Sequence, residues 1–152
     1  MTLKDNIEQN IKNAMKSGDK FLVSTLRMVK SAIANYEIEL RSSKKELTED
    51  DVLGVIIKEA KKRQDSIQAY EQGGRQDLAD QEKKELEIIQ QYLPAQLSED
   101  EVRKIIQNTI ESLGNVSLQD FGKIMGAIMP KLKGQADGNL VNQIVKEILA
   151  GK

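Results

Sequence analysis

The 152-residue chain has no cysteine, no histidine and no tryptophan. Without cysteine there is no disulfide, no thiolate nucleophile and no thiolate-held metal. Without histidine the commonest general base, the commonest metal ligand and every Ser-His or Cys-His pair are gone. Any catalysis would have to use carboxylates, lysine, tyrosine or hydroxyls. Prolines are limited to Pro94 and Pro130, and the aromatics to Phe21, Tyr36, Tyr70, Tyr92 and Phe121. The core must therefore be built from Ile, Leu, Val, Met and Ala, a composition that, with abundant Lys, Glu and Gln, favours helices over sheets. Net charge is −1, so any nucleic-acid surface must be local. The first residues, "MTLKDNIEQN", lack an apolar signal core, and no apolar run approaches the ~20 residues of a membrane span. A soluble, cytoplasmic protein without a membrane partner is the expectation.

What is present is a succession of amphipathic helices. Thr2 is placed to cap a first helix whose inner face carries Leu3, Ile7, Ile11, Ala14 and Met15. Gly18 ends it and Asp19 caps a second, inward-facing at Leu22, Leu26, Val29, Ile33 and Tyr36, running to about Leu40. Thr48 and Asp51 form an acidic capping box before a third helix with Val52, Val55, Ile56, Ala60, Ile67 and Tyr70. Gly73 and Gly74 stop it, and a fourth is predicted from Asp77 to Tyr92. The third and fourth are long and charged, so a hairpin whose distal end protrudes is expected. Pro94 marks the boundary between domains, with Tyr92 and Leu93 as an apolar clasp before it. Ser98 and Glu101 box a fifth helix, Ser117 precedes a sixth with a stripe of Leu118, Phe121, Met125, Ile128 and Leu132, and Asp137 caps a seventh. The expected fold is all-α: an N-terminal region of about four helices over 1–93, with a helical hairpin, followed by a small three-helix domain over 96–152.

The stretch "FGKIMGAIMPKLKGQADG", Phe121–Gly138, concentrates glycines and lysines with no acid before Asp137. At about 100° per residue, Gly122 and Gly126 stack beside the core stripe and Lys123 projects further round. Such a face permits close approach of another backbone, either a neighbouring helix or a sugar–phosphate chain. Pro130 disrupts or ends the sixth helix. Lys123, Lys131 and Lys133, with Gly126 and Gly134 allowing approach and amides from Gly134 to Asn139 at the next helix start, form a candidate phosphate site. The bland alternative is glycines for tight packing and lysines for solubility. A second basic patch comprises Lys58, Lys61, Lys62 and Arg63, joined by Arg27 and Lys30 if their helix packs alongside; here the bland alternative is a solvated face with local ion pairs. The acidic clusters "TEDD" and "SEDE" stand at helix starts, where the dipole favours them. No catalytic residue, metal site or cofactor motif is assigned.

The segments "LRMVKSAI" (26–33), "LTEDDVLGVIIKEAKKRQDSI" (47–67), "YLPAQLSEDEV" (92–102) and "GKIMGAIMPKLKGQADGNLVNQIV" (122–145) carry a resemblance over essentially the whole chain. It resembles the small YqeY-like proteins, whose C-terminal part is similar to the tail domain of the B subunit (GatB) of tRNA-dependent amidotransferase. The resemblance implies a three-helix tail domain that helps hold tRNA. It also brings a family association with carbon–nitrogen ligase activity using glutamine as amido-N-donor. The amidation chemistry of that enzyme resides in parts this chain lacks, and no Ser-Ser-Lys arrangement or ATP site is identifiable here. Three readings follow: a module binding tRNA or another structured RNA, a protein adaptor using the helical hairpin or the glycine face, and an amidotransferase acting alone.

Overall fold

Local capping chemistry sets most of the helix boundaries in the computed structural model, which describes residues 1–151. Thr2 Oγ1 accepts from the Asp5 N–H at 3.1 Å while Asp5 accepts in return from the Thr2 N–H, and α1 runs Leu3–Ser17. Gly18 ends it in the left-handed region, φ 76°, where a side chain would be strained. Asp19 accepts from the Leu22 N–H at 3.1 Å and opens α2, Lys20–Ser42. The Thr48–Asp51 box opens α3, Glu49–Gln72, and α4 spans Gln76–Gln90. The Ser98–Glu101 box opens α5, Glu99–Leu113; a 3₁₀ turn at Leu118–Asp120 leads into α6, Phe121–Leu132; and Asp137 caps α7, Gly138–Ala150. The protein is all-α, with seven α-helices and no strand among the described residues. None of these helices is long and apolar enough to cross a membrane.

The chain divides into two compact units, Met1–Leu93 and Pro94–Lys152. In the first, Ile7 and Ile11 of α1, Leu26, Val29 and Ile33 of α2, Val52, Val55, Ile56 and Ala60 of α3 and Ile89 of α4 make one core, against which Tyr92 and Leu93 pack. On α3 this core stops at Ala60; Ile67 and Tyr70 are only half-buried. In the second unit, α5, α6 and α7 enclose Ile106, Ile110, Ile124, Ile128, Ile144 and Val145, each at most 1% exposed.

Three expectations need correction. Met15 is 55% exposed, because it lies about 80° round the helix from Ile7, at the edge of the apolar face. Leu118 is 57% exposed and not part of the sixth-helix stripe. The Ser117–Asp120 box winds this turn as 3₁₀, whose ~120° steps rotate Leu118 away from the core. With the helix beginning at Phe121, Ile124 takes the central buried position, fully enclosed. Finally, Pro130 does not end α6, which continues to Leu132. Proline is tolerated there because it sits in the last turn on the solvent side, where the bond it cannot donate to the Gly126 carbonyl is cheaply lost.

Candidate nucleic-acid interface

On α6 the buried residues Ile124, Ile128 and Leu132 fix the inward direction. Gly122, Gly126 and Pro130, four residues apart, then form the opposite ridge, and all three are exposed. Lys123 stands beside this ridge, exposed and without a hydrogen bond or ion pair among the described residues. The openness of the ridge is decisive between the two uses of the glycines. A Cβ placed on Gly122 or Gly126 would meet nothing beyond its own helix backbone and chain neighbours within 4 Å, so neither α5 nor α7 needs either glycine. Neither has a positive φ, so the backbone does not need them either. Glycine inside a helix costs about 1 kcal/mol relative to alanine. Gly122→Ala and Gly126→Ala are therefore each expected to stabilise the second unit by roughly 0.5–1 kcal/mol. Thermal denaturation followed by circular dichroism checks this; a fall in midpoint would mean that the glycines are packed.

The other cations of the stretch are disposed differently. Lys131 turns toward α5, where its ammonium donates to Thr109 Oγ1 at 3.2 Å; that hydroxyl donates in turn to the Ile105 carbonyl at 2.8 Å. Lys133 is half-buried at the C-cap of α6. Gly134 adopts φ 77°, a conformation that favours glycine, and its carbonyl accepts from Gln96 Nε2 at 2.6 Å. The Gln135 carbonyl accepts from the Leu97 N–H at 2.9 Å, so residues 96–97 stitch this loop in place. The Asn139 N–H already donates to Asp137 Oδ1 at 3.0 Å, and the Asp137 carboxylate stands at the start of α7. An anion there would meet a carboxylate as well as amides. The candidate residues thus run as a strip along α6 and its following loop but do not share one face: Lys123 flanks the glycine ridge, whereas Lys131 stands about 140° round the helix from Gly126, toward α5.

Two contacts at this site are invisible in the sequence pattern. Gln96 and Leu97 hold the loop from 38 residues away. Lys146 of α7 lies 5.5 Å from the centroid of the Phe121 ring, which packs against the core of the second unit rather than on the ridge.

The second basic patch is not a continuous positive surface. Lys30 pairs with Glu8 at 3.2 Å, Lys61 with Asp65 at 3.3 Å and Lys62 with Glu59 at 3.1 Å. Arg63 leaves the patch altogether, being only 7% exposed and held between Glu59 of α3 and Glu85 of α4. Lys58 is exposed, and Arg27 is exposed with Met15 Sδ 3.7 Å from its Nη2. The ordinary reading, a helix face laced with local ion pairs, describes most of this region. Among the described residues no group of three or more acids, cysteines or histidines is arranged to hold a metal.

The fold and this strip define an all-α protein of two helical units with an open Gly122–Gly126–Pro130 ridge, flanked by Lys123, on the second. Comparison with known proteins gives this class its place: residues 4–149 match the Yqey-like protein family, and the chain belongs to it. A protein of Pyrenophora tritici-repentis named "Altered inheritance of mitochondria protein 41, mitochondrial" is 27% identical over 150 residues, 96% of this chain and 80% of that protein. The protein of the same name from Kluyveromyces lactis is 33% identical over 131 residues, covering 82% of this chain and 70% of its own. A glutamyl-tRNA(Gln) amidotransferase subunit of Thermococcus sibiricus is 33% identical over 118 residues, 72% of this chain but 19% of that protein. That alignment is too long to fall within the second unit alone, so the likeness reaches into the first.

Proposed function

We propose that the chain is a module that binds tRNA or another structured RNA through its second unit, acting as a tail domain does in an amidotransferase subunit. In this reading the first unit is a four-helix platform whose α3–α4 hairpin extends beyond the shared core. The observation that carries the reading is the open Gly122–Gly126–Pro130 ridge beside Lys123, which has no ion pair among the described residues. Helix-weakening glycines that neither packing nor backbone geometry requires are explained by close approach of a partner backbone. Lysine beside such a ridge selects a phosphate backbone. The likeness to a glutamyl-tRNA(Gln) amidotransferase subunit supports tRNA as the first RNA to test. With five aromatic residues in the whole chain, base stacking is limited, and recognition rests on shape and backbone. Amidation by this chain alone is not proposed.

The test is fluorescence anisotropy of labelled total tRNA titrated with the protein at about 50 and 200 mM salt. Binding that weakens steeply with salt is expected, because lysine–phosphate contacts release counterions. Negligible binding at the lower salt, or binding indifferent to salt, overturns the proposal.

A further inference from the structure

A groove of about 800 Å³ lies in the first unit between the end of α1 and the outer face of α2. Its α2 wall runs from Lys20 through Ser24, Arg27, Met28 and Ser31 to Asn35. These positions follow steps of three and four, so they share one helix face about 22 Å long. Ala14 and Met15 of α1 form the other wall. Met15 is 55% exposed and Met28 40% exposed, although both are large apolar side chains. Flexible methionines exposed along a groove lined with small residues are the chemistry of a surface that receives an apolar helix face.

The charge of the groove points to one kind of occupant. Arg27 has no carboxylate partner among the described residues; its Nη2 rests 3.7 Å from Met15 Sδ. Lys20 has no ion pair among the described residues either. The one acid of the lining, Asp19, is committed to capping α2 through the Leu22 N–H. An exposed guanidinium beside the Met15 thioether, with no carboxylate partner among the described residues, is open to a carboxylate from outside. We propose that this groove docks an acidic amphipathic α-helix of a partner protein, about four turns long. Its apolar residues, spaced i, i+3/i+4 and i+7, pack on Met15, Met28 and Ala32. One carboxylate engages Arg27 and a second, seven residues away, engages Lys20, matching the roughly 10 Å rise between those two cations. Nucleic acid fits less well, because the apolar floor with only two cations, Lys20 and Arg27, in its lining offers few phosphate contacts. This site is on a different unit from the RNA strip, and neither reading depends on the other.

The experiment is selection of a phage-displayed library of 16-residue helix-forming peptides against the full chain, followed by anisotropy on the enriched peptides. Peptides with acids seven residues apart beside an apolar stripe are expected. Ser31→Trp, which fills the groove from an exposed position, should weaken them at least tenfold. Arg27→Glu should do the same, with binding recovered by replacing the central acid of the peptide with lysine. Enrichment of non-acidic or non-amphipathic peptides, no enrichment at all, or affinity within twofold after Ser31→Trp overturns the proposal. So does a result in which Ser31→Trp abolishes binding of total tRNA or of phosphatidylserine vesicles while leaving the peptides bound.

Discussion

Arg63→Met is expected to destabilise the first unit by about 3–5 kcal/mol, the usual cost of stranding buried carboxylates by removing their cation. Glu59, Arg63 and Glu85 are each only 7% exposed. Arg63 Nη1 donates to the Glu59 carboxylate and, at 3.3 Å, to the Glu59 carbonyl; Nε stands 3.9 Å from Glu85 Oε2, too far for a hydrogen bond. Lys62 reaches Glu59 Oε1 from the solvent side at 3.1 Å. The guanidinium thus stands between two acids on two helices, whereas Lys62 pairs with Glu59. Without Arg63, two carboxylates remain between α3 and α4 in a medium where their repulsion is poorly screened. The triple replacement Glu59→Leu, Arg63→Met, Glu85→Leu should recover most of the loss, because it removes the buried charges together. Tyr36, Tyr70 and Tyr92 all lie in the first unit and the chain has no tryptophan, so tyrosine fluorescence in urea follows that unit alone. A loss under about 1 kcal/mol for Arg63→Met would show that water reaches the cluster.

The same cluster gives the first unit a pH dependence of definite sign. Burial, and then the nearby Glu82 carboxylate, raise the Glu85 pKa above its ordinary 4.5, with Arg63 opposing them. Between 4.5 and the raised value the folded state holds a proton that the unfolded state has released. Stability contributed by this group is therefore present at the acid end of that window and lost as pH rises through it. Glu85→Gln should flatten that slope, and Arg63→Met should steepen it.

How much of this could be read from the sequence follows from the range of each interaction. The caps Thr2, Asp19, Thr48, Ser98 and Asp137 act across two or three residues, and the all-α character and helix starts were legible through them. The phase of α6 was not. Leu118 belongs to a 3₁₀ turn, and a stripe started from it assigns the wrong centre and passes over Ile124. The burial of Arg63 was equally hidden, because it depends on Glu85, 22 positions away on another helix, whereas Lys62 beside it is an ordinary surface lysine. In the strip on α6 the residue types and spacing were visible. That the glycine ridge meets nothing, and that Lys131 leans on Thr109, are facts of packing between helices.

Those facts separate two contributions to RNA binding. If Lys123, Lys131 and Lys133 each neutralise one phosphate, they add about 0.7–0.9 each to the slope of log affinity against log salt. Replacing all three with alanine should lower the slope by about 2–3, which removes a roughly 20- to 40-fold dependence over a fourfold change in salt. Lys123→Ala should take the largest single share, since the Lys131 ammonium is already engaged by Thr109 Oγ1. Gly126→Leu should behave in the opposite way. It removes no charge, and its Cβ at this exposed helix position meets no other part of the second unit, so the fold is expected to be kept, which circular dichroism checks. It stands off any backbone that lies on the ridge, so affinity for total tRNA should fall about tenfold with the salt slope unchanged. A lysine-only interface, in which the glycines have no part, would leave Gly126→Leu binding as tightly as the wild-type chain. A ridge that serves a protein instead would leave tRNA affinity untouched by both sets of substitutions. The combination expected here, slope lost with the lysines and affinity lost without slope at Gly126, arises only if a charged backbone lies along Gly122–Gly126–Pro130 with Lys123 at its flank.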